Sequence, residues 1–535
     1  MTCLAWNDVP PVHELLAAIN AQRGTLHLLL CLTDHTLPVF AANSAAPEEG
    51  RLKKRLDDAV QCLQFNGMNM VEHFLPDVHL WLVPPACAGR LNEYFGDETL
   101  NWQTAAVPQQ PLAAVKPWFR PSENRTMPEH VLIIGAGIAG AATARLLADK
   151  GVGVTVLEAR GVAQGGSGNR QGLLYAKISP HPTEQTELLL AGYGYTRRLL
   201  EKLLPRADCW GAGGVVHLNF DDKERQRHQA LAAQNRHAHL YHAVSQADIR
   251  EISGLDFGVD GLYWPQGVWL NPPAVVRALL DHPLIEVREH TPLLSAQHDG
   301  QSWTAHTPSG DFCASHLVYC MGAHSPTAAD LNIAVLPYRQ IRGQTGVAQA
   351  SAFSQHLRCA VSGESYISPA WQNQHCYGAT FGLNSADEHW YLEEEQENRA
   401  ALQTLQPELA QSLFSDGLNP LSQSPGHAAL RCDSPDHLPL VGALCDIASM
   451  QNVYAKLALD KNYRLDAPCP YLPNAYLNTA HGTRGLATAP ICAVAVVAEI
   501  LDLPNPLSQR LRTALHPNRT VIRAMVRQQP LLPES

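Results

Sequence analysis

The sequence predicts an α/β protein with an inserted antiparallel sheet and a small additional α/β domain at its N-terminus. A short apolar strand, a glycine-rich turn and a helix pattern follow one another from residue 131 onward. Between residues 336 and 424 the chain is rich in β-formers and turn residues, as in "RGQTGVAQ" and "HCYGATF", which favours antiparallel strands. Proline and polar residues at about 105–128 indicate a linker, so residues 1–120 are expected to form a small domain of their own.

The composition is that of a globular chain with two or three domains: 535 residues, 45% hydrophobic and 17% charged. A net charge of −11 argues against non-specific coating of nucleic acid, but it allows a local basic patch. No basic leader precedes an apolar run at the N-terminus, and the longest apolar stretches are too short to span a bilayer. The thirteen cysteines lack a CxxC pair, so we expect a cytoplasmic protein with reduced thiols and no membrane contact.

The segment "VLIIGAGIAGAATARLLADKGVGVTVLE" carries a dinucleotide-binding pattern. Gly135 would make the tight turn, Gly137 would let the backbone approach a pyrophosphate, and Gly140 would let the helix pack on the strand. The helix N-terminus favours the pyrophosphate because its free N–H groups and its dipole attract anions. A second strand ends at Glu158, whose carboxylate is expected to accept hydrogen bonds from ribose hydroxyls and to repel a 2′-phosphate.

Segments further along the chain favour FAD over NAD. "GGSGNRQG" (165–172), "LVYCMGAHS" (317–325), "DHLPLVG" (436–442) and "HGTRGLATAP" (481–490) resemble the FAD-dependent D-amino-acid oxidase superfamily, which includes glycine and sarcosine oxidases. The resemblance implies a Rossmann-like FAD-binding domain at about 129–215, 265–335 and 425–505, with an inserted substrate sheet at about 216–264 and 336–424. It also implies further FAD contacts at Ser167, Gly168, Asn169, Gly172, Gly322, Gly482, Thr483, Arg484, Gly485 and Leu486.

Further segments narrow the resemblance: "GSGNRQGLLYAKISPH", "GLYWPQGVWLNPPAVVRALL", "RCDSPDHLPLVG", "HGTRGLATAPICA" and "LHPNRTVIRAMVR". Together they resemble the oxidase half of the bifunctional tRNA 5-methylaminomethyl-2-thiouridine biosynthesis family, from about Trp118 to Arg527. This implies oxidation of 5-carboxymethylaminomethyl(-2-thio)uridine at the tRNA wobble position to 5-aminomethyl(-2-thio)uridine, with release of glyoxylate. The implied partners are tRNA and, as electron acceptor, oxygen or another molecule.

The N-terminal segment departs from that family, whose methyltransferase domain is about twice as long and carries a glycine-rich cofactor loop after its first strand. The glycines before the linker are widely separated: Gly24, Gly50, Gly67, Gly89 and Gly96. Isolated glycines do not let the backbone approach a cofactor closely, so we expect no methyltransferase activity here and a separate methyltransferase as a partner. Docking to a partner or to tRNA, and plain structural support, both stay open for residues 1–120.

The substrate's carboxylate calls for an arginine fork. Arg431 is the first candidate, because it precedes Asp436 by the spacing of the carboxylate-binding arginine in the resembling glycine oxidases; its alternative is a surface ion pair with Asp433 or Asp436. Arg484 is the second candidate, either for the carboxylate or for charge on the reduced flavin, and its alternative is a structural turn arginine. Tyr366 could line the substrate side or belong to the core.

Lys177 could assist oxygen reduction or lie on the surface, and the 25 histidines show no zinc-like spacing, so no metal is expected. Contacts with RNA phosphates are predicted for the basic tail 506–535, with five arginines against Glu534, and for Arg197, Arg198 and Lys202. Two other functions stay open: a glycine- or sarcosine-type oxidase of free amino acids, and a flavin-loaded binding protein without turnover.

Overall fold

The N-terminal unit is a five-stranded α/β layer. The computed structural model describes residues 1–42, 46–122, 125–327, 333–383, 385–415, 417–421 and 426–531. The unit contains β1 (Thr2–Trp6), α1 (Val12–Ala21), β2 (Leu26–Cys31), α2 (Pro47–Val60), β3 (Asn69–Leu75), β4 (Val78–Val83), α3 (Pro85–Ala88), α4 (Asn92–Phe95) and β5 (Leu100–Trp102). The strand order is β3-β4-β2-β1-β5, and neighbours are parallel except for β3 and β4. The predicted small α/β domain therefore has the expected fold class.

Both faces of this N-terminal sheet are buried. In β2, Leu28 and Leu30 pack with the residues of α1 and α2, whereas Leu29 and Cys31 belong to the main core of the rest of the chain. Alternate residues of a strand point to opposite faces, so a strand buried on both faces reads as a continuous apolar run. This explains the stretch "LHLLLCL" at 26–32.

The remaining elements follow in chain order. They are β6 (His130–Ile134), α5 (Ile138–Asp149), β7 (Gly153–Leu157), β8 (Gly172–Leu174), α6 (Glu184–Leu203), β9 (Trp210–Gly211), β10 (Val215–Leu218), α7 (Asp222–Gln234), β11 (His242–Val244), α8 (Gln246–Ser253), β12 (Gly261–Trp264), β13 (Val268–Leu270), α9 (Pro272–Leu280), β14 (Ile285–Arg288), β15 (Ser295–His298), β16 (Trp303–Thr307), β17 (Gly310–Ala314), β18 (His316–Tyr319), β19 (Arg339–Gln349), β20 (Ala360–Ser362), β21 (Tyr366–Ile367), β22 (Gln374–Gly378), β23 (Gly382–Leu383), α10 (Leu392–Leu405), α11 (Pro407–Phe414), β24 (His427–Asp433), β25 (Leu440–Cys445), α12 (Ile447–Val453), β26 (Tyr471–Thr479), α13 (Gly485–Leu501), α14 (Gln509–Leu515) and α15 (Asn518–Arg527).

A six-stranded sheet carries the nucleotide motif. Its order is β14-β7-β6-β18-β26-β25, and all neighbours are parallel except β25, which runs antiparallel to β26. The carboxyl ends of β6, β7, β18 and β26 therefore meet at one edge, where ligands bind in open α/β sheets. The turns that follow these strands hold most of the predicted cofactor residues.

A nine-stranded sheet forms the substrate side. Its order is β11-β12-β10-β20-β21-β22-β19-β23, with β24 pairing with β19 as well. The sheet is mixed rather than purely antiparallel, because β10 and β20 pair in parallel. Strand β24 also belongs to this sheet by its register with β19, so 427–433 lies outside the FAD-binding portion that was predicted to begin at 425. Residues 424 and 425 themselves lie outside the described residues.

Helix α13 is the central helix of the larger part of the chain. The apolar segment Gly482–Leu501 is long enough to cross a membrane, but 78% of its apolar window is buried inside the protein. It packs against α5 and α6, and residues such as Ile491, Cys492 and Val496 belong to the main core. The segment is therefore accounted for as a core helix.

Candidate active site

The glycine-rich turn after β6 has the geometry of a phosphate-binding loop. Gly135 has φ of +107°, and a β-carbon there would lie 2.6 Å from the carbonyl oxygen of Cys320. A β-carbon on Gly140 would collide with the carbonyl oxygen of Gly135, so this glycine allows α5 to pack on the strand. At Gly137 the nearest atom to an added β-carbon would be Ser167 Oγ, at 3.4 Å. The fold thus requires the first and third glycines, whereas the second leaves room for a ligand.

Glu158 directly follows β7, beside this loop. Its Oε2 accepts a hydrogen bond from the amide of Ala136 at 2.8 Å, and its Oε1 accepts one from the amide of Arg160 at 2.9 Å. A carboxylate has about four lone-pair positions, so these two bonds leave capacity for ribose hydroxyls. The acid predicted to bind the ribose therefore lies beside the predicted phosphate loop.

The segment 165–172 lies against the same loop. Ser167 Oγ accepts a hydrogen bond from the amide of Ile138 at 3.0 Å, in the first turn of α5. A β-carbon on Gly168 would lie 2.5 Å from the ring of His427, and one on Gly172 would lie 2.7 Å from Leu486 Cδ1. Asn169, between them, is half-buried. The glycines of this segment thus allow it to run between the substrate sheet and the start of α13.

The turn before α13 is held by a half-buried histidine. His481 bridges Thr488 Oγ1 and Asn478 Oδ1, at 3.0 Å each, and burial lowers its pKa to about 3, so the ring is neutral. Gly482 has φ of +58°, Thr483 is exposed, and Gly485 begins α13. No side chain caps α13, so its first amides are available to an anion or to flavin oxygens.

The predicted cofactor residues therefore converge on one edge of the six-stranded sheet. Gly322 also lies there: it follows β18, has φ of +53°, and has no atom within 4 Å of an added β-carbon. The N-terminus of α13 without a side-chain cap, the N-terminus of α5, the ribose-side carboxylate and the open positions at 137 and 322 suit an elongated dinucleotide. The donor set and the space fit FAD.

Arg431 lies on β24, opposite Ile341 of β19. Its guanidinium covers Gly343, where a β-carbon would lie 2.5 Å from Nη1. The two acids named as alternative partners are engaged elsewhere: Asp433 binds His437 Nδ1 at 2.5 Å, and Asp436 binds Arg519 and Arg523. Among the described residues, no carboxylate oxygen lies within 4.0 Å of Arg431, and burial lowers the pKa of its guanidinium. The surface ion pair is therefore not formed, and the fork is available to a ligand.

Tyr366, on β21, lies close to Arg431. Its hydroxyl donates to the carbonyl oxygen of Gln171 at 3.3 Å, within the segment predicted to contact the flavin. Burial raises its pKa well above the usual value, and the positive charge of Arg431 opposes that rise, so the phenol is neutral. Tyr366 thus connects the 165–172 segment with Arg431, and its role on the substrate side stays a prediction.

Sequence reasoning missed Tyr175, which lies near Arg484. Its hydroxyl lies 3.0 Å from Ser362 Oγ, and burial raises its pKa. Arg484 is half-buried; burial lowers its pKa, and the nearby groups that oppose this effect are Tyr175 and Asp433. Arg484 therefore lies near Tyr175 and the carboxylate of Asp433, whereas Arg431 has no carboxylate within 4.0 Å among the described residues.

Lys177 is not free to act on oxygen. Its Nζ lies 3.1 Å from Glu224, a buried carboxylate that also pairs with Arg227. Glu224 forms, with His217 and His228, the one cluster in the described part of the chain whose spacing could hold a metal ion. Because Lys177 and Arg227 already place two positive charges on this carboxylate, a further cation is unfavourable there.

Most of the basic residues predicted to follow RNA phosphates have ion-pair or hydrogen-bond partners within the protein, some buried and some at its surface. Arg510 pairs with Glu184 and Glu187, and Arg512 donates to the carbonyl oxygen of Glu93. Arg519 is buried on Asp436, Arg523 pairs with the same acid, and Lys202 lies 3.5 Å from Asp149. Arg197 is buried, and Arg198 donates to the carbonyl oxygen of Met70. Of the predicted set, Arg527 is exposed without an ion pair in the described residues, and Glu534 lies outside them. The phosphate-binding tail therefore stays a prediction, in which Arg510, Arg523 and Arg527 are the exposed members of the tail.

Comparison with known proteins gives a family and a fold. The model of the FAD dependent oxidoreductase family matches residues 130–499. Two similar relatives are the tRNA 5-methylaminomethyl-2-thiouridine biosynthesis bifunctional proteins of Chromobacterium violaceum and Pseudomonas putida. The first is 40% identical over 414 residues, 77% of this chain and 62% of its own length. The second is 39% identical over 416 residues, with the same shares. The chain thus spans about three fifths of the length of these relatives.

Solved structures share the fold at low identity. A glycine oxidase from Bacillus cereus superposes with a TM-score of 0.56 at 18% identity, over 71% of this chain and 99% of its own. The L-proline dehydrogenase of P. horikoshii superposes with a TM-score of 0.56 at 16% identity, over 74% and 98%. These structures thus share the fold that the sequence predicts for the larger part of the chain.

Proposed function

Because the chain belongs to the FAD dependent oxidoreductase family, we propose that it oxidises 5-carboxymethylaminomethyl(-2-thio)uridine at the tRNA wobble position. The products are 5-aminomethyl(-2-thio)uridine and glyoxylate. The proposal is supported by the names of relatives about 40% identical over 77% of the chain. A tRNA substrate also implies that the protein works in the cytoplasm.

The reaction removes two electrons and two protons from the secondary amine and the neighbouring glycyl methylene, so that a C=N bond forms. Bound FAD supplies the oxidant for this step. Water then adds to the C=N bond, and cleavage of the C–N bond leaves the aminomethyl group on the uridine and releases the two remaining carbons as glyoxylate. The electrons finally pass to oxygen or another acceptor.

The single observation that carries the chemistry is the unpaired guanidinium of Arg431. It is half-buried, lies near Tyr366, whose hydroxyl binds the 165–172 segment, and has no carboxylate partner among the described residues. A half-buried charge without a partner is partly shielded from water, which favours an anionic ligand as its partner. In this arrangement Arg431 binds the substrate carboxylate in a fork, and the neutral phenol of Tyr366 lies beside it.

Methylation of the product is assigned to a separate methyltransferase. After β1 the chain continues "NDVPP" rather than a glycine-rich turn, so the N-terminal unit has no close backbone approach for a nucleotide at this point. S-adenosylmethionine should therefore not change the product that this protein makes.

The test is a direct assay on tRNA bearing the carboxymethylaminomethyl group. Nucleoside mass spectrometry should show 5-aminomethyl(-2-thio)uridine with one glyoxylate per nucleoside, and added S-adenosylmethionine should yield no methylated base. Parallel reactions with free glycine and sarcosine should leave the flavin oxidised. Flavin reduction by the free amino acids, with the nucleoside unchanged, would assign the chain to a small-substrate oxidase instead. A flavin that no amine reduces would make it a binding protein.

A further inference from the structure

Helix α6 of the FAD-binding part contacts the N-terminal unit, which also contacts α14 through Glu93 and Arg512. The 61–69 loop, which joins α2 to β3, lies on α6, and Asn69 holds the loop rigid. Asn69 Oδ1 accepts from the amide of Gln64 at 2.9 Å, and its Nδ2 donates to the carbonyl oxygens of Gln64 and Gly67. Both side chains are buried. The loop is thus a fixed feature of the N-terminal unit.

Two glycines of α6 mark close approaches on opposite sides. A β-carbon on Gly194 would lie 2.8 Å from the carbonyl oxygen of Cys62 in the loop. A β-carbon on Gly192 would collide with the carbonyl oxygen of Ala487, in the first turn of α13. Residues two apart on a helix point in directions about 200° apart, so α6 packs against the loop on one side and against α13 on the other.

Hydrogen bonds follow the same path. On the N-terminal side, the hydroxyl of Tyr195 donates to Glu72 Oε2 at 2.9 Å, and Arg198 donates to the carbonyl oxygen of Met70. On the cofactor side, Thr196 Oγ1 donates to the carbonyl oxygen of Leu486 at 2.9 Å. The side chain of Leu486 packs on Gly172, so it connects the turn at 482–486 with the 165–172 segment.

The same loop also grips the substrate side. The amide of Phe65 donates to His237 Nε2 at 2.8 Å, and His239 Nε2 donates to the carbonyl oxygen of Leu63 at 2.6 Å. Burial lowers the pKa of His237 to about 3, so its ring is neutral and can accept this bond. The loop therefore contacts the FAD-binding part and the substrate part at once.

We propose that residues 1–104 serve as a clamp for FAD: the 61–69 loop fixes α6, and α6 fixes the turn at 482–486 against the cofactor. The proposal concerns this chain's own contacts towards FAD, and it goes beyond the tRNA reaction. By thermodynamic reciprocity, FAD binding must then order the loop as much as the loop favours FAD.

The first experiment compares hydrogen–deuterium exchange of the full-length protein with and without FAD. We expect FAD to slow amide exchange at residues 61–69, as well as at 135–140 and 165–172. Slower exchange at 135–140 with no change at 61–69 would overturn the proposal, because the loop and the cofactor would then be independent. This measurement requires no variant and no substrate.

The second experiment uses matched glycine variants. Gly194→Ala adds a methyl group against Cys62, and we expect FAD to dissociate about 5- to 150-fold more readily, because overpacking the contact displaces α6. Gly50→Ala adds the same methyl group to α2, where nothing lies within 4 Å, and should leave FAD affinity unchanged. Parental FAD affinity in a folded Gly194→Ala protein would overturn the proposal.

A milder variant covers the case in which Gly194→Ala fails to fold. Tyr195→Phe removes the hydroxyl that binds Glu72 and leaves the helix packing in place. We expect weaker FAD binding together with a shifted flavin absorbance band, since the 482–486 turn moves. An unchanged affinity and spectrum in this variant would count against the clamp.

Discussion

Replacing Arg431 tests the proposed substrate anchor most sharply. Arg431→Ala should keep FAD bound, because the cofactor contacts are predicted in the 135–172 and 482–486 segments rather than on β24. Its loss removes a charge-assisted bidentate contact of about 1.5–3 kcal/mol, or about a 10- to 150-fold slower reduction. The assay is anaerobic stopped-flow bleaching of the flavin by tRNA bearing the carboxymethylaminomethyl group.

Three variants separate a fork from a charge or a structural role. Arg431→Lys should recover only part of the rate, because an ammonium cannot reproduce the planar fork. Gly343→Ala keeps the charge but places a methyl group 2.5 Å from Nη1, so it should raise KM by displacing the guanidinium. Arg339→Ala, an exposed arginine on the neighbouring strand, is the control and should change nothing. Reduction of the Arg431→Ala protein at the parental rate would refute the anchor and make Arg484 the leading candidate.

Three further predictions concern the cofactor, the tail and pH. Glu158→Ala should weaken FAD binding by about 1–3 kcal/mol, measured by fluorescence titration, with Glu158→Gln intermediate; parental affinity in the alanine variant would remove Glu158 from the ribose. Arg510→Ala leaves the buried carboxylate of Glu187 without its cation, so it should lower the free energy of unfolding by about 1–3 kcal/mol while tRNA affinity is unchanged; the opposite pattern would make Arg510 a phosphate contact. Burial lowers the pKa of His481 from 6.5 to about 3, so the folded state prefers the neutral ring, and the stability it contributes is complete above pH 6.5 and is lost as pH falls towards 3. FAD release followed by fluorescence should rise over that range, and a flat profile would show that the turn does not depend on this ring.

The cofactor half of the site could be predicted because its requirements are local. Gly135 and Gly140 must lack a β-carbon for reasons that lie within one strand, one turn and one helix. Glu158 follows the next strand of the same sheet, so its position relative to the loop is fixed by parallel pairing. Such residues appear in the sequence at a spacing that the backbone itself dictates.

The substrate half could not be predicted in the same detail because it depends on register between distant strands. Gly343 lies under Arg431 only because β19 pairs with β24 at Ile341 and Arg431. An isolated glycine in a strand pattern signals a bulge or a close approach, without saying to what. Tyr175 looks like any strand-end tyrosine until Ser362 is placed beside it.

The arginines of the tail also depend on contacts between distant parts of the chain. The arginines of the tail outnumber its acids along the chain, and this count predicts a basic surface. In the fold their partners come from elsewhere: Asp436 pairs with both Arg519 and Arg523, and Glu187 pairs with Arg510. The net charge of a segment predicts the charge of its surface only where the segment does not pack against acidic residues of other elements.

The role of the N-terminal unit is inferred from the distribution of its apolar residues rather than from sequence motifs. Leu29 and Trp81 are fully buried and belong to the core shared with α6 and α13, while Leu28 and Leu80 on the opposite face pack within the unit itself. A docking module that detaches from its neighbour needs a polar face at the contact, because exposing an apolar face to water costs about 25 cal/mol per Å². Of the two roles left open by the sequence, docking and support, burial on both faces favours support. The close approaches of α6 at Gly192 and Gly194 then give that support a specific recipient, the turn at 482–486.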